Sequence, residues 1–68
     1  MAEIVKVIEI LAESTESWEA ATKAAVAEAA KSVRNIQNVY IVSLKAIVEN
    51  NQIVRYRVDA KITFIVEK

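Results

Sequence analysis

A stripe of charged side chains near the end of the chain is the feature of this sequence best suited to binding chemistry. Arg55, Arg57, Asp59 and Lys61 occupy every second position, so in a strand they share one face. A guanidinium group can hold a phosphate through two parallel hydrogen bonds. The stripe is therefore predicted either to bind a phosphorylated ligand or to form a solvated face with weak ion pairs.

Three glutamates in the first part of the chain offer a different chemistry. Glu3, Glu9 and Glu13 supply the carboxylate oxygens that calcium accepts as ligands, and symmetry-related copies of the chain can bring such groups together. The alternative is that these carboxylates are simply solvated, as most acidic side chains are. Calcium therefore stands as a second ligand hypothesis.

The chain lacks the groups that catalysis commonly requires. It contains no His, no Cys and no Gly, so no serine or threonine has an imidazole base and no glycine-rich loop can cradle a phosphate. Disulfides and thiolate metal sites are excluded as well. We expect the protein not to be an enzyme.

Charge and hydropathy narrow the classes of partner. Nine basic and nine acidic residues give a formal net charge of zero, so no overall field attracts nucleic acid or an anionic membrane. No apolar run approaches the roughly 20 residues of a membrane span. We expect a cytoplasmic protein that binds neither nucleic acid nor membrane.

The balance of size and apolar content predicts self-association. Sixty-eight residues, of which 54% are hydrophobic, form one small domain that buries only about 60% of the surface exposed by its unfolded chain. Without disulfides or thiolate metal sites, oligomerisation is the remaining means of reinforcement. We therefore predict a single domain over residues 1–68 that forms a closed homo-oligomer.

The first half of the chain is predicted to form a strand followed by a helix. Alternating β-branched residues predict a strand from Glu3 to Leu11. Ser14 or Ser17 is the predicted N-cap of a helix from Trp18 to Arg34. Lys31 and Arg34 are expected at its negative end. The predicted buried stripe, at spacings of three and four, consists of Trp18, Ala21, Ala25, Ala29 and Val33.

The second half reads as a hairpin. A strand is predicted from Val39 to Val48. Its inward face is predicted to carry Tyr40, Val42, Leu44, Ala46 and Val48, and its other face Val39, Ile41, Ser43, Lys45 and Ile47. Asn50-Asn51 suits a type I′ turn. The third strand alternates strictly from Val54 to Glu67, with Tyr56 inward, and its length favours a central position. Trp18, Tyr40 and Tyr56 are expected to pack in the core or an interface, the tyrosines remaining available as ligand-stacking aromatics.

These elements predict an α+β fold of βαββ order, and several short signatures resemble the dodecin family. The signatures are VKVIEI (Val5 to Ile10), STESWEAA (Ser14 to Ala21), SVRN (Ser32 to Asn35) and YRVDAKITF (Tyr56 to Phe64). The resemblance implies a three-stranded antiparallel sheet wrapped around one helix. It also implies a hollow shell of twelve copies that binds flavin without catalysis.

The ligand site is where the sequence departs from that family pattern. Asn38 stands where the resemblance implies a tryptophan that stacks on the flavin ring, and Arg57 stands where it implies a glutamine. The candidate cofactor-binding residues are therefore Asn38, Arg57, Lys45, Arg55 and Tyr40. Riboflavin or flavin mononucleotide is the expected ligand, with coenzyme A or calcium as alternatives, and an assembly without a flavin site is the other hypothesis.

Overall fold

The computed structural model describes residues 2–66 of the chain. It contains β1 (Val5–Ser14), α1 (Trp18–Ala29), β2 (Ile36–Glu49) and β3 (Gln52–Ile65). The strands form one antiparallel sheet in the order β1-β3-β2, which confirms the βαββ order and the central position of the third strand. Glu67, the last residue predicted for that strand, lies outside the described residues.

Two serines shape the entry to α1 in different ways. The Ser17 hydroxyl accepts a hydrogen bond of 2.9 Å from the Ala20 amide, so Ser17 is the N-cap and satisfies one of the free amides of the first turn. The Ser14 hydroxyl accepts from the Glu16 amide at 2.9 Å. Ser14 therefore stabilises the turn between β1 and the helix, and the choice between the two predicted caps falls on Ser17.

The helix ends at Ala29 and not at Arg34 as predicted. The amides of Ser32 and Val33 both donate to the Ala29 carbonyl, at 3.0 and 2.9 Å, which closes a tight turn. Asn35 then takes a positive φ of 60°, a conformation that asparagine tolerates. The chain must turn here to enter β2, so the placement of Lys31 and Arg34 in the last helical turn was wrong, and that turn holds no basic residue.

The β2-β3 hairpin follows the predicted turn chemistry. Asn50 and Asn51 have φ values of 53° and 62° and link Glu49 to Gln52, which are paired across the hairpin. A two-residue loop with both central residues at positive φ is the arrangement that a type I′ turn requires. The prediction for Asn50-Asn51 is confirmed.

Irregular pairing in β2 reverses the predicted faces of this strand before Val42, whereas Leu44 and Ala46 beyond it lie on the helix side as predicted. The register with β3 shifts between Ile36 and Asn38 and again between Ile41 and Ser43, so Gln37 and Val42 are extra residues. A bulge of this kind changes which residues alternate on a face. Of the predicted outer residues, Val39 and Ile41 instead face the helix, opposite buried Ile62 and Ala60, and Tyr40 faces away from it.

The core lies between α1 and one face of the sheet. Its buried members on the helix are all alanines, and the two largest fully buried side chains, Val58 and Ile62, belong to the central strand; the full set is Ala21, Ala25, Ala29, Val58, Ala60 and Ile62. The alanine stripe lets the helix approach the sheet closely, while strand residues such as Ile8, Ile10 and Val39 fill the layer between them. Of the predicted buried stripe, Ala21, Ala25 and Ala29 are buried, while Trp18 at the start of α1 and Val33 beyond its end are half-buried.

Candidate functional site

The face of the sheet that α1 does not cover is the candidate site, and we call it the open face. Residues opposite one another on antiparallel strands point to the same side of the sheet. The open face is therefore organised as rows across β1, β3 and β2: Val7, Thr63 and Asn38; Glu9, Lys61 and Tyr40; Leu11, Asp59 and Ser43; Glu13, Arg57 and Lys45. Arg55 and Ile47 pair in a further row.

All five residues proposed to bind a cofactor belong to this open face. Asn38 and Tyr40 lie on β2 near the start of that strand, and Lys45 lies further along it. Arg55 and Arg57 lie on β3 beside the far end of β1. Tyr40 was predicted to point inward, but the residue is 64% exposed and lies opposite Lys61 in the sheet, because the bulge at Val42 breaks the alternation from which that prediction was made.

The five residues form two groups separated along the sheet. Asn38 is opposite Thr63, and Arg57 is six residues before Thr63 on the same strand. At about 3.4 Å per residue, six residues of strand span about 20 Å. Asn38 and Tyr40 therefore form one end of the open face, and Lys45, Arg55 and Arg57 form the other, which we call the arginine end.

The arginine end is organised by one glutamate. Nε of Arg57 donates to Oε2 of Glu13 at 2.6 Å, and Nη2 of the same arginine contacts that oxygen as well. Nε of Arg55 lies 3.2 Å from Oε1 of Glu13, and its Nη2 lies 3.9 Å from Oε2 of Glu49. Both oxygens of Glu13 are thus engaged by arginines. The sequence alone did not reveal this contact, because it depends on pairing β1 with β3 in the observed register.

Two carboxylates meet in the middle of the open face. Glu9 on β1 lies diagonally across from Asp59 on β3. A side-chain hydrogen bond to Asp59 and the negative charge of Asp59 raise the pKa of Glu9 above its ordinary value of 4.5, while Lys61 opposes that rise. Oδ1 of Asp59 is buried and has no hydrogen-bond partner among residues 2–66. Protonation of Glu9 therefore relieves a repulsion within the sheet.

The three glutamates proposed for a cation do not meet within one chain. Glu9 and Glu13 lie four residues apart on β1, which corresponds to about 13 Å. Glu3 precedes the strand, and Glu13 is occupied by its arginines. In the part of the chain that the structure describes, no group of three or more potential metal ligands lies together.

Trp18 and Tyr56 fix the start of α1 against the sheet. They lie near the arginine end, but on the side of the sheet that the helix covers. Their rings pack edge to face, with centroids 5.0 Å apart and planes at 73°, a favoured aromatic geometry. Nε1 of Trp18 donates to the Lys45 carbonyl at 2.9 Å. The tryptophan therefore fixes the backbone of β2 at the position from which Lys45 projects to the open face.

Large apolar side chains lie on the surface at several places. Val5, Val7 and Leu11 project from β1 on the open face, and Leu44, Val48 and Ile53 lie towards the hairpin end. Each is more than half exposed. Apolar surface of this extent on so small a chain is characteristic of protein interfaces.

An open pocket of about 370 Å³ lies apart from these features, where the turn after α1 meets the end of β3. None of the five candidate residues lines it. Its lining residues are Ser32, Val33, Arg34, Phe64, Ile65 and Val66. No helix within residues 2–66 has the length and apolar character needed to cross a membrane.

One helix packed on a three-stranded antiparallel sheet, with the other face open and charged, defines a small α+β protein whose sheet offers a surface for binding or self-association. The dodecin family model matches residues 4–67. The chain therefore belongs to the dodecin family. No curated protein matches it significantly.

Solved structures of dodecins have the same fold. An arginine variant of Thermus thermophilus dodecin is 25% identical over 98% of this chain and 100% of that chain, with a TM-score of 0.92. Streptomyces coelicolor dodecin, at 21% identity over 97% and 94% of the two chains and a TM-score of 0.91, shares the fold. Calcium dodecin from Mycobacterium tuberculosis, a calcium-chelating antigen with a novel calcium-binding site, is 30% identical over 94% and 91%, with a TM-score of 0.83.

Proposed function

We propose that this protein is a homo-dodecameric shell of the dodecin type that binds and sequesters flavin or a related phosphorylated cofactor without catalysis. The observation that carries the proposal is that Asn38, Tyr40, Lys45, Arg55 and Arg57 all belong to one face of the sheet that the helix leaves open. Membership of the dodecin family supports the same ligand class.

Separation of the two groups of residues supports a site formed between subunits. About 20 Å of strand lies between the row of Asn38 and the row of Arg57, so one flavin ring does not contact both within a single chain. A second copy can bring the two ends together. The exposed apolar side chains of β1, including Val7 and Leu11, offer the contact area that such an assembly needs.

The two ends of the open face suit different parts of a flavin. Asn38 has no ring to stack, and Tyr40 in the neighbouring row is the exposed aromatic of that end. An aromatic pair contributes about 0.5–1.5 kcal/mol beyond area burial, so Tyr40 replaces part of the lost stacking. Lys45, Arg55 and Arg57 supply hydrogen-bond donors for polar edges or a phosphate.

A second candidate function is calcium binding by the assembly. Two observations favour it: the likeness to calcium dodecin and the Glu9 and Asp59 carboxylates that face each other on the open face. Calcium requires six to eight oxygen ligands, so further carboxylates from other subunits are needed. Calorimetric titration of calcium into metal-free protein tests this function, and the absence of heat would remove it.

The proposed function is tested by fluorescence titration of riboflavin and flavin mononucleotide, together with light scattering of the same samples. We expect an assembled particle that quenches flavin fluorescence to saturation at a fixed ratio of flavin to subunits. Tyr40→Ala should weaken the binding, while Lys23→Ala on the exposed side of α1 serves as the control. An assembled particle without quenching would contradict flavin binding and favour a flavin-independent structural assembly.

A further inference from the structure

Glu13 occupies the groups that would otherwise make the arginine end an anion site. The guanidinium fork binds phosphate and carboxylate in the same bidentate manner. Nε and Nη2 of Arg57 both contact Oε2 of Glu13, and Arg55 contacts the other oxygen. A phosphate that bound Nε and Nη2 of Arg57 would have to displace a carboxylate of the same protein.

The position of Glu13 in the sheet favours this contact. Glu13 is directly opposite Arg57 on the neighbouring strand, and Lys45 is opposite Arg57 on the other side. Two like charges in directly opposed positions are unfavourable, and Glu13 offsets the repulsion between Arg57 and Lys45. The Glu13 side chain is only 32% exposed, so water screens the contact less than it screens a fully exposed ion pair.

The net charge of the arginine end leaves little attraction for an anion. Lys45, Arg55 and Arg57 contribute three positive charges, and Glu13 and Glu49 contribute two negative charges. One positive charge is left. Removing the Glu13 charge would double this net charge and free the donors of Arg57.

We infer that Glu13 is a specificity-determining residue that acts as a built-in counter-anion, so that the open face binds uncharged riboflavin at least as well as its phosphorylated form. The inference rests on the proposed function and narrows its ligand class. A phosphate gains little from Arg57, because a bidentate contact with its Nε and Nη2 replaces the contacts that these groups already make with Glu13. Flavin mononucleotide and coenzyme A are then disfavoured by the chain's own carboxylate.

The test compares the dissociation constants of riboflavin and flavin mononucleotide for three assembled proteins at low ionic strength. In the unaltered protein, riboflavin should bind as tightly as flavin mononucleotide or more tightly. Glu13→Gln should improve the affinity for flavin mononucleotide relative to riboflavin by about tenfold, as expected for a freed charge-assisted hydrogen bond. Glu49→Gln removes the same charge 3.9 Å from Arg55 without touching Arg57, and its effect should stay below about twofold.

Two results would overturn the inference while leaving flavin binding intact. One is a clear preference of the unaltered protein for flavin mononucleotide. The other is an equal change for both flavins in Glu13→Gln. If Glu13→Gln does not assemble, Glu13→Asp keeps the charge but shortens the reach to the arginines, and it should shift the preference in the same direction; no shift would count against the inference.

A second readout separates this inference from the proposed function. Inorganic pyrophosphate is titrated calorimetrically into the unaltered protein and into the Glu13 variant. Binding by the variant alone supports the role of Glu13 even if neither protein binds any flavin, an outcome that would contradict the proposed flavin binding. Equal pyrophosphate binding by both proteins, or by neither, would overturn the role assigned to Glu13.

Discussion

The alanine stripe of α1 sets how closely the helix lies on the sheet, and a larger side chain there should force the two apart. Ala25 is 1% exposed and packs in one cluster with Ala29 and Ile62. Ala25→Leu adds three carbon atoms to this buried position. Inserting methylenes into a packed core costs about 1–3 kcal/mol, so we expect the free energy of unfolding to fall by about that amount.

Ala27→Leu is the matched control for this substitution. Ala27 lies on the same helix but is exposed, and leucine and alanine have similar helix propensities. Its effect should stay within about 0.5 kcal/mol. The only intended difference between the two variants is therefore contact with the sheet.

Urea denaturation at one protomer concentration measures the difference, because assembly couples stability to concentration. Light scattering on both variants checks that the particle size is unchanged. Equal stability of the Ala25→Leu and unaltered proteins would show that the layer between helix and sheet has room for a leucine. An equal loss in both variants would show that the cost arises outside that layer.

Three further predictions follow from the sheet. The pKa of Glu9 is raised above 4.5 by Asp59, so the folded state retains a proton that the unfolded chain loses. The free energy of unfolding should therefore fall as pH rises from 4.5 through the folded-state pKa of Glu9. Urea unfolding across this range should show that Glu9→Gln removes this decline, and an unchanged pH profile would contradict it. Asn51→Ala should lower the free energy of unfolding by about 1–2 kcal/mol because Asn51 has a positive φ, whereas Asn51→Gly should not lower it. Equal urea midpoints for the two variants would contradict the need for positive φ at this turn. Asn38→Trp combined with Arg57→Gln should strengthen flavin binding in the fluorescence titration, and an assembled double variant that ignores flavin would show that the site lies elsewhere.

The sequence predicted the parts of the fold that depend on local pattern. Alternation identified the third strand, the alanine spacing identified the buried side of α1, and Asn50-Asn51 identified the turn. Each signal lies within a few residues, so neighbouring side chains alone define it. The end of α1 was missed because the turn after Ala29 is imposed by the need to enter β2.

Tertiary structure decided which side chains share the open face. Gln37 and Val42 are extra residues in β2, and only pairing with β3 reveals them; Tyr40 therefore moved from a predicted inward position to an exposed one. Glu13 lies far from Arg57 in sequence, and the register of β1 against β3 brings them together. Composition and periodicity determined the elements of this protein, while strand register, a property of non-local pairing, determined how its charges are arranged.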